Sequence, residues 1–130
     1  MAKTKYQLEY VINTAPKLLY ARLTTPSGLS EWFADNVNIR GENFIFIWDK
    51  TEQEAKVLMK KLNESVRFKW VDDDDDDDDE ESYFEFLIAK EELTGDVALI
   101  ITDFAEEGEI SGSQELWDNQ IAILKRAIGV

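Results

Sequence analysis

Ser111-Gly112-Ser113-Gln114-Glu115-Leu116-Trp117-Asp118-Asn119-Gln120-Ile121-Ala122-Ile123-Leu124-Lys125-Arg126-Ala127-Ile128-Gly129 is the stretch that decides the fold. Leu116, Trp117, Ile121, Leu124 and Ile128 recur at the spacing that puts apolar side chains on one stripe of a helix. Ser111 and Gln114 fit a capping box, in which each side chain serves the other residue's amide. Glu115 near the start and Lys125-Arg126 near the end suit the helix dipole, and Gly129 can close the last turn. A long helix with a single apolar stripe must bury it against something.

Working backwards, the remaining chain offers one surface for that stripe, a sheet. Residues 97–104 and 83–90 read as strands joined by a turn at Thr94-Gly95. Residues 66–70 alternate cleanly after a tight turn at Asn63-Glu64, and residues 53–62, 43–48 and 37–40 read as further strands joined by short turns. Such successive hairpins build an antiparallel sheet. At the start of the chain, Tyr6, Leu8, Tyr10 and Ile12 alternate with Lys5, Gln7 and Glu9, another half-buried strand. Asn13-Thr14-Ala15-Pro16 then opens a short helix carrying Leu18, Leu19 and Leu23. A second short helix, from about Ser27 to Asp35-Asn36, carries Leu29, Trp32 and Phe33. The expected fold is α+β: a curved antiparallel sheet of six to seven strands wrapped on the C-terminal helix, with two short helices after the first strand, in one domain over residues 1–130.

Composition narrows the chemistry. The 130 residues include no cysteine and no histidine. Disulfides, thiolate nucleophiles and Cys-ligated zinc are thereby excluded, and so are the commonest general base and the commonest metal ligand. No catalytic pair, phosphate-cradling glycine loop or metal motif stands out, so neither a cofactor nor a metal is expected. The first residues lack the apolar core of a secretion signal, and the longest wholly apolar run, residues 97–101, is too short to span a bilayer. The expected location is cytoplasmic, without membrane insertion.

The charge is concentrated. Of the 28 acidic residues, ten lie in residues 72–81, and without them 18 acids face 14 bases. Eight consecutive aspartates repel one another and favour turns, which predicts an exposed acidic hairpin loop at 72–81. Such a loop suits a solvated tip, a basic protein partner or a cation. It lacks the glycine and the spaced ligands of an EF-hand. Acidity of this kind argues against nucleic acid as a partner.

Several blocks in this order resemble START-like (helix-grip, birch-allergen-like) proteins: Ala15-Pro16, Leu29-Ser30-Glu31-Trp32-Phe33, Gly41 before an aromatic strand, Val66-Arg67-Phe68-Lys69-Trp70, Thr102-Asp103-Phe104-Ala105 and Glu115-Leu116-Trp117-Asp118-Asn119-Gln120. Within that superfamily the chain is similar to small bacterial members related to the activator of the ninety-kilodalton heat-shock chaperone's ATPase. The resemblance implies a helix-grip fold with a cavity between sheet and helix. It spans lipid carriers, hormone receptors, cyclases and co-chaperones, so it implies no single activity. Many relatives carry a histidine near the end of the last strand and a Gly-Trp pair opening the last helix. This chain has Asp103 and Trp117 alone, and so lacks residues on which cyclase-type chemistry relies.

The candidate cavity residues are Trp32, Phe33, Phe44, Phe46, Trp48, Phe68, Trp70, Phe84, Phe86, Trp117, Ile121 and Leu124. The aromatic ones either line a chamber or simply fill it, and both readings stay open. The tryptophans are the stronger candidates, because a buried indole N–H seeks a partner. Asp103 joins them by parity: with Val97, Leu99 and Ile101 inward, it points inward too, as a rim carboxylate or as a strand-end group serving the backbone. Arg67 and Lys69 fall on the outer face. Three functions follow: a module binding a small hydrophobic or lipid-like molecule, a protein-interaction domain using the acidic run, and an enzyme in which Asp103 acts as base.

Overall fold

Alternation along the strands is what gives the sheet an inner face, and the computed structural model, which describes residues 3–71 and 82–130, shows where it closes. The elements run β1 (Thr4–Val11), α1 (Pro16–Thr24), α2 (Pro26–Leu29), β2 (Asn36–Arg40), β3 (Asn43–Trp48), β4 (Thr51–Lys61), β5 (Ser65–Trp70), β6 (Phe84–Lys90), β7 (Val97–Ala105) and α3 (Ile110–Ile128), with a 3₁₀ turn at Glu107–Glu109 before α3. Among the described residues the seven strands form one antiparallel sheet in the order β1-β7-β6-β5-β4-β3-β2. Every hairpin neighbour is also a spatial neighbour. The one exception is β1, which returns to pair with the last strand and leaves β1 and β2 as the edges. A register shift between Val57 and Met59 marks a bulge in β4, the device that bends a strand and strengthens its twist.

The inner face carries Phe44 and Phe46 from β3, Ala55 from β4, Val66 and Phe68 from β5, Phe84, Phe86 and Ile88 from β6, and Val97, Leu99 and Ile101 from β7, all buried. Two groups of helices cover it. α1 packs against β5 and β6 and α2 against β2, while α3 lies on β1 and β7. From α3 the buried side chains are Trp117, Ile121 and Leu124, with Ile128 packed at the edge of the core. Each such burial contributes about 1.5–3 kcal/mol in area terms. The α+β helix-grip arrangement expected from the sequence is therefore present. The acidic run at 72–81 lies outside the described residues.

Several local expectations are corrected. Ser111 does not cap α3: the 3₁₀ turn runs directly into the helix, which begins at Ile110 with Glu109 as its cap residue and no side-chain cap bond. Ser111 is thereby inside the first turn. Leu116 is 65% exposed, because the stripe runs 117, 121, 124, 128 and Leu116 stands about a quarter-turn off it. Leu18 is exposed as well, while Leu19 and Leu23 are fully buried. Asn13 and Thr14 do not cap α1, whose cap residue is Ala15. Asn13 instead accepts the Val97 N–H at 2.8 Å and donates to Asp96, tying the end of β1 to the start of β7. α2 is a single turn ending at Leu29, so Trp32 and Phe33 sit in the irregular segment after it. The C-terminal expectation holds. Gly129 adopts φ 94° and its N–H returns to the Lys125 carbonyl.

α1 and α2 pack so closely that only glycine fits at position 28. A Cβ there would collide with the Ala21 carbonyl oxygen and come within 2.7 Å of the Arg22 Cα, both backbone atoms that cannot swing aside. At Gly112, within α3, a Cβ meets nothing. Gly28→Ala is expected to destabilise the fold by about 2 kcal/mol, and Gly112→Ala to stabilise it by roughly 0.5 kcal/mol. Urea denaturation of both variants checks the pair of opposite signs.

Candidate functional site

Strand parity and the α3 stripe send ten aromatic rings to the same interior. Phe44, Phe46 and Trp48 come from β3, Phe68 and Trp70 from β5, Phe84 and Phe86 from β6, Trp117 from α3, and Trp32 and Phe33 from the segment after α2. Each ring touches at least one other of the set, with centroid separations from 4.9 Å for Trp70–Phe84 to 6.2 Å for Trp48–Trp70. Ile121 and Leu124 close the helix side. The structure thus brings all the candidate cavity residues together. They meet one another: the rings pack in the offset and edge-on geometries of an aromatic core.

The tryptophans differ from the phenylalanines in their polar edge. The Trp32 indole donates to the Arg22 carbonyl at 2.8 Å, Trp48 to the Phe33 carbonyl at 2.8 Å, and Trp117 to Asp103 Oδ2 at 3.0 Å. Trp48 and Trp70 are only half-buried and mark one edge of the cluster. Phe33 lies at its centre. Its ring is near-parallel to Phe84 (5.7 Å, 29°) and to Trp117 (5.8 Å, 20°), and edge-on to Phe46 (5.0 Å, 83°).

At the other end of the interior, Asp103 gathers a polar cluster. Its parity is inward as expected, but β7 continues past it to Ala105. Oδ2 accepts from the Trp117 indole and, at 3.3 Å, from the Tyr6 hydroxyl, while Oδ1 accepts the Phe104 N–H at 2.8 Å. The Tyr6 hydroxyl also pairs with the Ser113 hydroxyl, and one turn along α3 the Tyr10 hydroxyl donates to Asp118 at 2.6 Å. Three strand side chains therefore fasten α3 to β1 and β7. Burial pushes the Asp103 carboxyl above its ordinary range, against the opposing pull of the donors from Trp117, Phe104 and Tyr6. Burial likewise raises the Tyr6 hydroxyl.

Beside this cluster an open groove of about 780 Å³ runs between the end of β7 and the first turn of α3. Lys3, Phe104, Glu106, Glu109, Ser113 and Leu116 line it, so it is mixed in charge, and none of the aromatic candidates reaches it. Tyr6, Tyr10, Ser113 and Gln120 were not singled out by sequence reasoning. The two tyrosines do carry a signal, since they sit on the inward parity of β1, but nothing in the sequence names their partners on α3. On the outer face Arg67 pairs with Glu85 at 2.7 Å and lies 4.1 Å over the Tyr83 ring, a surface arrangement as expected.

A family model described as the START-like superfamily domain matches residues 1–130. Among solved structures, the chain is similar to the solution structure of BfR322 from Bacteroides fragilis, with 37% identity over 98% of this chain and 93% of that one, at a TM-score of 0.67. It shares its fold with MLL2253 from Mesorhizobium loti, at 18% identity, TM-score 0.78 and 97% coverage of both chains. The same holds for the Aha1 dimer from Colwellia psychrerythraea, at 16% identity, TM-score 0.76 and 95% coverage of both. No curated protein matches this chain. Among the described residues, no helix is long and apolar enough to cross a membrane.

The raised Asp103 gives a prediction with a definite sign. The folded state holds that proton more tightly than the unfolded chain, so the group's contribution to stability is full below the ordinary carboxylate value of about 3.9 and is lost as pH rises through the folded value. Wild type should therefore gain stability relative to Asp103→Asn as pH falls from 7 towards 4.5. Urea midpoints of the two proteins across that range check it, and a difference that stays flat contradicts it.

Proposed function

We propose that this chain, which belongs to the START-like superfamily, is a binding module that takes a small hydrophobic or lipid-like molecule between its sheet and α3, and that it is not an enzyme. One observation carries the reading: the rings of the segment after α2, β3, β5, β6 and α3 converge on a single interior, giving an almost wholly apolar lining with a few polar edges. Sites for small apolar molecules have this composition. The superfamily commonly binds hydrophobic ligands, which supports the same reading. The chain's own rings pack on one another there, so uptake requires at least one of them to move aside. With neither histidine nor cysteine in the sequence, the proton-transfer and nucleophilic roles fall to carboxylates, tyrosines, lysines and hydroxyls, and Asp103 is already engaged by three donors.

A second reading is favoured by the ten carboxylates of residues 72–81, a concentration of charge that steers a basic protein surface towards the chain. Under that reading the module docks a basic partner, and replacing residues 72–79 by Ser-Gly repeats abolishes the complex at low salt. A complex that survives the replacement rules the run out as the interface.

For the leading reading, delipidated protein titrated with dodecanoic acid and with 1-aminoanthracene should show saturable uptake of one molecule per chain. Tryptophan emission should fall in step, since Trp48, Trp70 and Trp117 border the interior. Absence of saturable uptake across fatty acids, sterols and fused aromatic rings overturns it.

A further inference from the structure

Phe33 differs from the rings around it in how it is held. Phe46, Phe68, Phe84 and Phe86 stand on strands whose backbones are locked by ladder hydrogen bonds, and Trp117 stands on a 19-residue helix. Phe33 instead sits in the irregular segment between α2 and β2, four residues beyond the single turn of α2. Its neighbour Trp32 is pinned to α1 through the Arg22 carbonyl. The Phe33 side chain is apolar and has no hydrogen-bond anchor of that kind; it is 4% exposed and packs against the surrounding rings.

The backbone at this point is clasped by side chains. The Phe33 carbonyl accepts from Trp48 Nε1 at 2.8 Å and from Gln120 Nε2 at 2.9 Å. One donor belongs to the sheet and the other to α3, and both residues are half-buried at the border of the cluster. This carbonyl is thus the point where sheet, helix and the segment after α2 meet. Swinging the segment out breaks these two side-chain hydrogen bonds and the turn bonds that the Phe33 and Ala34 N–H groups make to the Leu29 carbonyl, at 2.8 and 3.2 Å, with no loss of any strand ladder.

We propose, building on the binding-module reading, that Phe33 is a built-in surrogate for the ligand, and that the ligand is a planar aromatic compound with a hydrogen-bond acceptor at its edge. Planarity follows from the near-parallel faces of Phe84 on the sheet and Trp117 on α3, between which the Phe33 ring bridges. A flat ring keeps those face contacts and the edge contact to Phe46, whereas a saturated ring or an alkyl chain loses the stacking geometry. The acceptor follows from the clasp. When the Phe33 segment swings out, the Trp48 indole and the Gln120 amide lose their shared carbonyl, and a ligand that takes its place shuts water away from these half-buried donors, so one without an acceptor leaves them unpartnered at a cost. A ligand carbonyl or hydroxyl at that edge restores what the Phe33 carbonyl supplied.

The test compares three bicyclic probes by calorimetry: 2-acetonaphthone (flat, with acceptor), 2-ethylnaphthalene (flat, without) and 2-ethyldecalin (saturated, without). Wild type should bind 2-acetonaphthone about tenfold more tightly than 2-ethylnaphthalene, a ratio of the size one or two recovered hydrogen bonds give. 2-Ethyldecalin should bind more weakly than either. In the double variant Trp48→Phe, Gln120→Leu the tenfold ratio should fall to about one, because the donors are gone whatever becomes of the clasp itself. Phe33→Ala should bind 2-ethylnaphthalene at least about tenfold more tightly than wild type does, since the competing ring has been removed and apolar cavities of that kind stay dry and take up apolar rings. If Phe33→Ala does not fold, Phe33→Leu should move affinity in the same direction by less. Equal binding of the decalin and the naphthalene, or a ratio unchanged in the double variant, overturns the aromatic-acceptor assignment while leaving the binding module intact through its fatty-acid uptake. Failure of every probe, dodecanoic acid included, removes the module and this inference with it.

Discussion

Trp117 is the residue on which the arrangement of the rest turns. Its ring sits against Phe33 and Phe86 in the interior, while its indole N–H reaches Asp103 on β7. A single side chain thereby fixes both the depth of α3 over the sheet and its position along β7. The indole N–H is a donor only, so burying it demands an acceptor, and the carboxylate at the inward position of β7 is what meets that demand. Asp103 in turn is half-buried, and the desolvation of its carboxyl raises its protonation equilibrium against hydrogen bonds from three directions. Tyr6 and Tyr10 extend the same fastening along β1. The polar seam on one side of α3 and the aromatic interior on the other are two consequences of where one helix is set down.

That placement also explains why the interior is aromatic. A helix seated on β1 and β7 reaches β6 through Trp117 against Phe86, while α1 packs on β5 and β6 and α2 on β2. Large flat side chains bridge between these elements with few rotatable bonds, and they do so from both sides. Phe33 completes the filling from a segment that is neither helix nor strand. A segment of turns therefore contributes the most central ring, held by its own N–H bond to the Leu29 carbonyl and by the two side-chain donors on its carbonyl.

The architecture was legible where burial follows a period. The 2-residue alternation of β1, β5 and β7 and the stripe Trp117, Ile121, Leu124, Ile128 were enough to place strands, helix and inward faces, and the parity that points Asp103 inward was read along the strand. What escaped reading was set by contacts between distant segments. Ser111 reads as a cap because the sequence does not show that a 3₁₀ turn already leads the chain into α3. Leu116 reads as part of the stripe because one extra apolar neighbour is indistinguishable from a core position until the helix is docked. The partners of Tyr6, Tyr10 and Gln120 lie 87 to 108 positions away, beyond any local pattern. Whether the rings line a space or fill it depends on summed volumes in three dimensions, which no local pattern carries; the offset and edge-on contacts show the rings packed on one another.

The most direct measurement of this account is the solution behaviour of the Trp117 side chain by nuclear magnetic resonance. With α3 fastened as described, the Trp117 ring protons give cross-relaxation to Phe33 and Phe86, and the indole N–H exchanges slowly and shifts as Asp103 titrates. An indole N–H that exchanges at the rate of a free tryptophan, with no contacts to those two rings, contradicts it.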